Sequence, residues 1–217
     1  MTIPNNPHHM KIFLYSLTIA LGLSCIAIAP VASQTIAKSQ QFGVAPPACE
    51  KEAQLYLNIC ASRWAKTADF LRSLIYDEVY SQIPTARQSQ LKAIEKTWNS
   101  YRDIHCQELS EPFRKGSIYP LLYFSCRARL ANDRIADLQG TGNSQLTSDV
   151  TTQKLAKILK QEKMQNSAGQ RQWLLYQAQH CQFESLISLD NSPSVKQCRD
   201  RLAEGRLRQL EAMLGTR

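Results

Sequence analysis

Glycine is scarce in this chain, eight residues in 217, scattered and mostly where helices end. No glycine-rich loop is therefore available to cradle a phosphate. Paired carboxylates and a nucleophile beside a base are equally missing as recognisable arrangements. No C-x-x-C pair occurs, and His105 and His180 each sit next to a cysteine, without the spaced pairs that a tetrahedral zinc site wants. These absences argue against an enzyme, a metal site and a bound cofactor. Nothing in the pattern reads bases, so nucleic acid is not an expected partner.

What is present begins with an apolar run from Ile12 to Ala29 behind Lys11, short and lightly flanked for a membrane span. It reads as a secretory signal peptide over residues 1–33, with Val31 and Ser33 as the small residues before a cleavage point near Gln34 and Met10 as an alternative initiator. Leu23-Ser24-Cys25 faintly resembles a lipid-acylation site, but Gly22 suits one poorly and the apolar run continues past Cys25. A periplasmic or secreted protein is expected in preference to a lipoprotein anchored at Cys25. Removing the leader takes away one base and no acid, so the formal charge of +8 becomes +7. Six cysteines remain, Cys49, Cys60, Cys106, Cys126, Cys181 and Cys198, an even number in an oxidising compartment where thiols pair.

Residues 34–48 are polar, contain paired prolines and show no period, so they read as an unstructured lead. Leu57, Cys60, Trp64, Ala68, Leu71 and Leu74 or Ile75 then recur every three or four residues, an amphipathic helix running to Ile83 and ended by Pro84. Thr85 and Gln88 form a capping-box pattern. Leu91, Ile94, Trp98, Tyr101 and His105 trace a second apolar face, so the first two helices are expected as a tight antiparallel hairpin. A loop with Pro112, Gly116 and Ser117 leads to a third helix from Pro120 to Leu138, stopped by Gly140. A polar linker at 141–148 precedes a further helix around Leu155, Ile158 and Leu159.

The remainder echoes what came before. Trp98, Tyr101, His105 and Cys106 are matched at identical spacing by Trp173, Tyr176, His180 and Cys181. CRARLANDRIADL from Cys126 matches CRDRLAEGRLRQL from Cys198 at seven of thirteen positions. Agreement in two segments in the same order marks a repeated structural unit. The chain therefore reads as all-α, with disulfide-stapled units in two unequal tandem copies, 49–140 and a shortened 149–217. The second copy lacks counterparts of Cys49 and Cys60, so Cys181 can pair within its unit only with Cys198; by analogy Cys106 pairs with Cys126, leaving Cys49 for Cys60. The two longer loops would each stabilise by roughly 3 kcal/mol on the chain-entropy account. Cys49 and Cys60 would stand about 16 Å apart on a continuous helix. Either a non-helical stretch lies around Glu50 to Gln54, or the pairs are Cys60 with Cys106 and Cys49 with Cys126.

The first unit resembles the LprI-like lysozyme-inhibitor family of exported bacterial domains. The resemblance rests on Cys49, Leu57-Asn58-Ile59-Cys60-Ala61, Leu71, Tyr76, Leu91, the run Trp98-Asn99-Ser100-Tyr101-Arg102-Asp103 ending at Cys106, Gly116-Ser117, and Cys126 with Leu130 and Arg134. It covers residues 49–138. In the second unit Gln177 replaces the Arg of the Tyr-Arg pair. The resemblance implies an all-helical fold, an envelope location and a lysozyme as protein partner.

Among individual residues, Trp98, Tyr101, Trp173 and Tyr176 read as core with a polar tip at the surface, and His105 and His180 as wall residues beside disulfides. The fork of Arg102 is expected to pin the following loop. Arg127, Arg129 and Arg134, echoed by Arg199, Arg201, Arg206 and Arg208, read as a solvated basic face. Its functional version is contact with anionic lipid, wall polymer or a protein carboxylate. For a glycosidase with two catalytic carboxylates, the segment Glu111–Ser117 is the best candidate insert, with Arg114, Lys115 and Ser117 as contacts. A basic lysozyme would be repelled by so basic a protein.

Overall fold

The computed structural model describes residues 43–49, 53–140, 148–187 and 194–214. The expected leader, most of the lead and most of the 141–148 linker lie outside them. The described residues form six α-helices and no strand: α1 Gln54–Gln82, α2 Thr85–Ser110, α3 Tyr119–Gln139, α4 Ser148–Gln161, α5 Ala168–Ile187 and α6 Val195–Leu214, with a short 3-10 turn at Glu111–Phe113. None is long and apolar enough to cross a membrane.

Local chemistry sets the boundaries. Ile83 is extended, as a residue before proline must be, and α1 ends there. Pro120 sits in the first turn of α3, where its missing N–H costs nothing, and Gly140 closes that helix at φ 62°. The capping box does not form. Thr85 is already helical, its cap position is Pro84, and the Gln88 side chain instead donates to the Tyr80 carbonyl of α1 (3.1 Å).

The tight α1–α2 hairpin is also corrected. α1 packs most closely on α3, where Ala65 and Ala68 meet Ala128 and Ala131 beside Trp64. Small side chains on both faces let the backbones approach. α2 is joined to α1 by long polar side chains, described below. α2 also packs on α3, α4 and α5 both pack on α6, and α2 packs along α5 at the centre. The larger of the two apolar clusters runs through both halves, from Leu91, Ile94 and Trp98 to Leu155, Trp173, Leu207 and Leu210.

The lead is anchored at its end. Val44 donates its N–H to Asn132 Oδ1 and accepts from Asn132 Nδ2, both at 2.9 Å, and its carbonyl also accepts from the Trp64 indole. Three disulfides close the frame: Cys49–Cys60, Cys106–Cys126 and Cys181–Cys198, with Cα separations of 6.2, 5.6 and 5.5 Å. α1 begins only at Gln54, which brings Cys49 within reach of Cys60 and rules out the crossed pairing.

Candidate functional site

The interior is organised by two arginines exchanged between the halves. Arg134 of α3 is fully buried; its Nη1 donates to the Tyr176 hydroxyl (2.8 Å) and faces His180 Nδ1 (3.3 Å), while Nε donates to Glu95 (3.1 Å). Arg206 of α6 does the same in reverse. Its Nη1 donates to the Tyr101 hydroxyl (2.9 Å) and faces His105 Nε2 (3.0 Å), while Nε donates to Gln170 (3.3 Å). The hydroxyl protons pass on, from Tyr176 to Asp137 (2.6 Å) and from Tyr101 to Gln209 (2.7 Å). Each guanidinium also lies over the tyrosine it binds, at 5.2 and 5.4 Å from the ring centroid.

A guanidinium only donates, so the imidazole nitrogen facing it must accept. Burial pushes both histidines well below their ordinary pKa, and the neighbouring arginine adds to the effect. Burial likewise raises Tyr101, to about 12, and holds Tyr176 well above its ordinary value. These are packing cross-links, with no proton poised for transfer.

A second cluster joins α1, α2 and α3. Trp98 lies between the guanidinium groups of Arg72 and Arg102, 4.9 and 5.0 Å from the ring centroid. Arg72 pairs with Glu95, Arg102 with Asp69 (2.7 Å) and Asp103 (2.9 Å), and Arg127 with Asp103 (3.0 Å). Arg102 thus binds α1 and its own helix instead of pinning the following loop. The basic face is corrected as well. Arg134, Arg201 and Arg206 are buried and Arg127 is half-buried, each with partners, which leaves Arg129, Arg199 and Arg208 at the surface. Charge density along a helix does not show which guanidinium groups have carboxylates and hydroxyls waiting inside. The sequence reading missed Glu95, Gln170 and Asp69, although the first two hold matching positions three residues before Trp98 and Trp173.

His180, Glu184 and Cys198 bring potential metal ligands within 4.8 Å of one another. The donors are already committed: Cys198 is in a disulfide, and both Glu184 oxygens accept from Arg201 (3.0 and 2.8 Å).

The segment between Cys106 and Cys126 is the most exposed functional candidate. It is not free of helix, since Glu111–Phe113 makes a 3-10 turn. The Gly116 N–H donates to Phe113 O (2.8 Å), and Asn58 of α1 donates to the Ser117 carbonyl (2.9 Å). Arg114 is exposed and tied back to Glu111 (2.8 Å), and Lys115 is exposed beside it.

A family model described as "Lysozyme inhibitor LprI" matches residues 47–138, the segment spanning α1 to α3. An uncharacterized protein of Rhizobium meliloti (strain 1021) is 32% identical, over 43% of this chain and 77% of its own length. No solved structure matches. A helical domain stapled between Cys49 and Cys60 and between Cys106 and Cys126, matched over those same residues, places the chain in the LprI lysozyme-inhibitor family.

Proposed function

We propose that the protein is an exported binding protein of the cell envelope, not an enzyme, and that it inhibits a wall-degrading glycosidase. The family supports the class of partner. The observation that carries the reading is the segment Glu111–Ser117, which presents two exposed cations, Arg114 and Lys115, while held by a disulfide across its base and by Asn58 at Ser117. Fixing a loop before it meets a cleft lowers the entropy cost of insertion. A guanidinium or ammonium group suits the paired carboxylates that flank a scissile glycosidic bond. The Arg114–Glu111 pair is exposed and weak, so an enzyme carboxylate can replace Glu111.

Net charge selects the target. At +8 over the whole sequence, the chain repels a basic lysozyme at long range and attracts one with an acidic face. The test is a wall-lysis assay with lysozymes of differing net charge, run against the wild type and an Arg114→Ala/Lys115→Ala variant. Inhibition by the wild type, strongest on the more acidic enzyme and weakened at least tenfold in the variant, is expected. Equal inhibition by the two proteins rejects the loop as the insert. No inhibition by the wild type at stoichiometric excess rejects the function.

A further inference from the structure

A cavity of about 650 Å³ opens beside the Cys106–Cys126 disulfide, between the end of α2, the first half of α3, the loop that joins them and Gln209 of α6. Its walls are mainly apolar, with Leu109, Phe113, Ile118 and Leu122 among them. Phe113 and Ile118 also remain more than a third exposed. Polar groups are few. Arg129 brings the one formal charge among the described lining residues, since His105 is neutral. A mostly apolar concavity of this volume with a few convergent polar groups has the make-up of a small-molecule site.

The second half indicates what Arg129 is built to meet. Arg201 stands three residues after Cys198, as Arg129 stands three after Cys126. Across the Cys181–Cys198 bond Arg201 grips both oxygens of Glu184, which stands three residues after Cys181. The residue three after Cys106 is Leu109. The two disulfides have nearly the same Cα separation, 5.6 and 5.5 Å, so the two frames are alike while one lacks its carboxylate. Where that carboxylate would be, Leu109 helps to wall the cavity. Asp133, one turn further along α3, feels the charge of Arg129 and accepts its hydrogen bond from Gln209 (2.7 Å).

We propose that this cavity binds a single-chain amphiphile bearing a carboxylate, with the acyl chain against Leu109, Phe113, Ile118 and Leu122 and the carboxylate on Arg129, in the place that Glu184 fills for Arg201. The exposed position of Arg129 keeps the head group at the water boundary while the chain is buried. Because laurate binding is read without any glycosidase present, the proposal stands or falls independently of glycosidase inhibition.

The test is calorimetric titration of the mature protein with sodium laurate below its micelle concentration, beside dodecyltrimethylammonium and acetate. One laurate per chain, at least tenfold tighter than the cationic amphiphile, with no measurable acetate binding, is the expected result. Leu109→Glu supplies the internal carboxylate and should weaken laurate at least tenfold while the helical spectrum is retained. Arg129→Glu alters an exposed side chain that folding does not depend on, and it should invert the preference toward the cationic amphiphile. The proposal is overturned by absence of laurate binding, by equal binding of both head groups to the wild type, or by an Arg129→Glu protein that binds laurate as the wild type does.

Discussion

Tyr101 and Tyr176 lie ring against ring, centroids 6.3 Å apart and planes within 7° of parallel, and each holds an arginine from the other half of the chain. The two arginines differ most where Arg134 has the Glu95 carboxylate and Arg206 has the neutral Gln170 amide at the matching position. Removing one member of a buried ion pair costs about 3–5 kcal/mol, whereas a buried charge without a direct counter-ion already carries its own desolvation penalty. Arg72 still pairs with Glu95 in an Arg134→Met variant, so that variant should destabilise by about 3 kcal/mol, the low end of this range, and Arg206→Met by distinctly less. Urea denaturation of both variants decides it, and equal losses would show that Glu95 is not what distinguishes them.

The buried histidines make stability depend on pH. Their folded pKa values lie well below the ordinary 6.5, so below that pH the unfolded chain binds more protons than the native one. Stability is then present above about pH 6.5 and is lost as pH falls, by about 1.4 kcal/mol per pH unit for each histidine. Asp133 works the opposite way. Burial raises its carboxyl to about 6, so it favours the native state as pH falls below that value. Comparing variants isolates the histidine contribution: His180→Gln should remove about 1.4 kcal/mol per unit from the slope between pH 6.5 and 5. An unchanged slope in denaturation midpoints across a pH series would sink this account.

Gly169 opens α5 against the backbone of α2, and its N–H donates to the Glu108 carboxylate at 3.1 Å. A Cβ there would stand 3.1 Å from the His105 Cα and 2.5 Å from Glu108 Oε2. The carboxylate can swing away, but the backbone cannot. Gly169→Ala should destabilise by about 1–3 kcal/mol through crowding, outweighing a helix-propensity gain of at most about 1 kcal/mol. A raised melting temperature in this variant would contradict the close approach.

The three disulfides should open in order of access. Cys181 and Cys198 are fully buried, Cys106 is buried beside a Cys126 that is partly exposed, and only in the Cys49–Cys60 pair, at the edge of α1, are both cysteines partly exposed. Mild reduction of the native protein is expected to release two thiols, those of Cys49 and Cys60, well before the other four, because thiol exchange needs a path to the sulfur. Alkylation followed by peptide mapping reads the order. Labelling of Cys181 or Cys198 first would reverse it.

Much of this architecture could be read from spacing. Apolar stripes located the helices, Pro84, Pro120 and Gly140 marked their ends, and the Trp-Tyr-His-Cys match led to Cys181–Cys198. Three features resisted for physical reasons. Arg134 and Arg206 look like surface charge until their hydroxyl and imidazole partners are known, and those partners come from the other half of the chain. The α1–α3 contact is written in alanines, which carry no distinctive stripe of their own. The cavity beside Arg129 depends on a leucine standing where the other half has a glutamate, a difference that acquires meaning only when both disulfide frames are seen together.

The exchange of Arg134 and Arg206 also has a temporal side. As the chain is made or threaded from its N-terminus, Tyr101 and His105 emerge more than a hundred residues before the arginine that fills the space beside them. Until α6 arrives, the first half can form its helices and close Cys106–Cys126, and α5 can bring Tyr176 and His180 to Arg134, but the Tyr101–His105 pocket stands unplugged. Final packing must therefore wait for α6 and its Arg206. A chain cut short after α5 would keep both cysteines of the first staple and still fail to seal its own core.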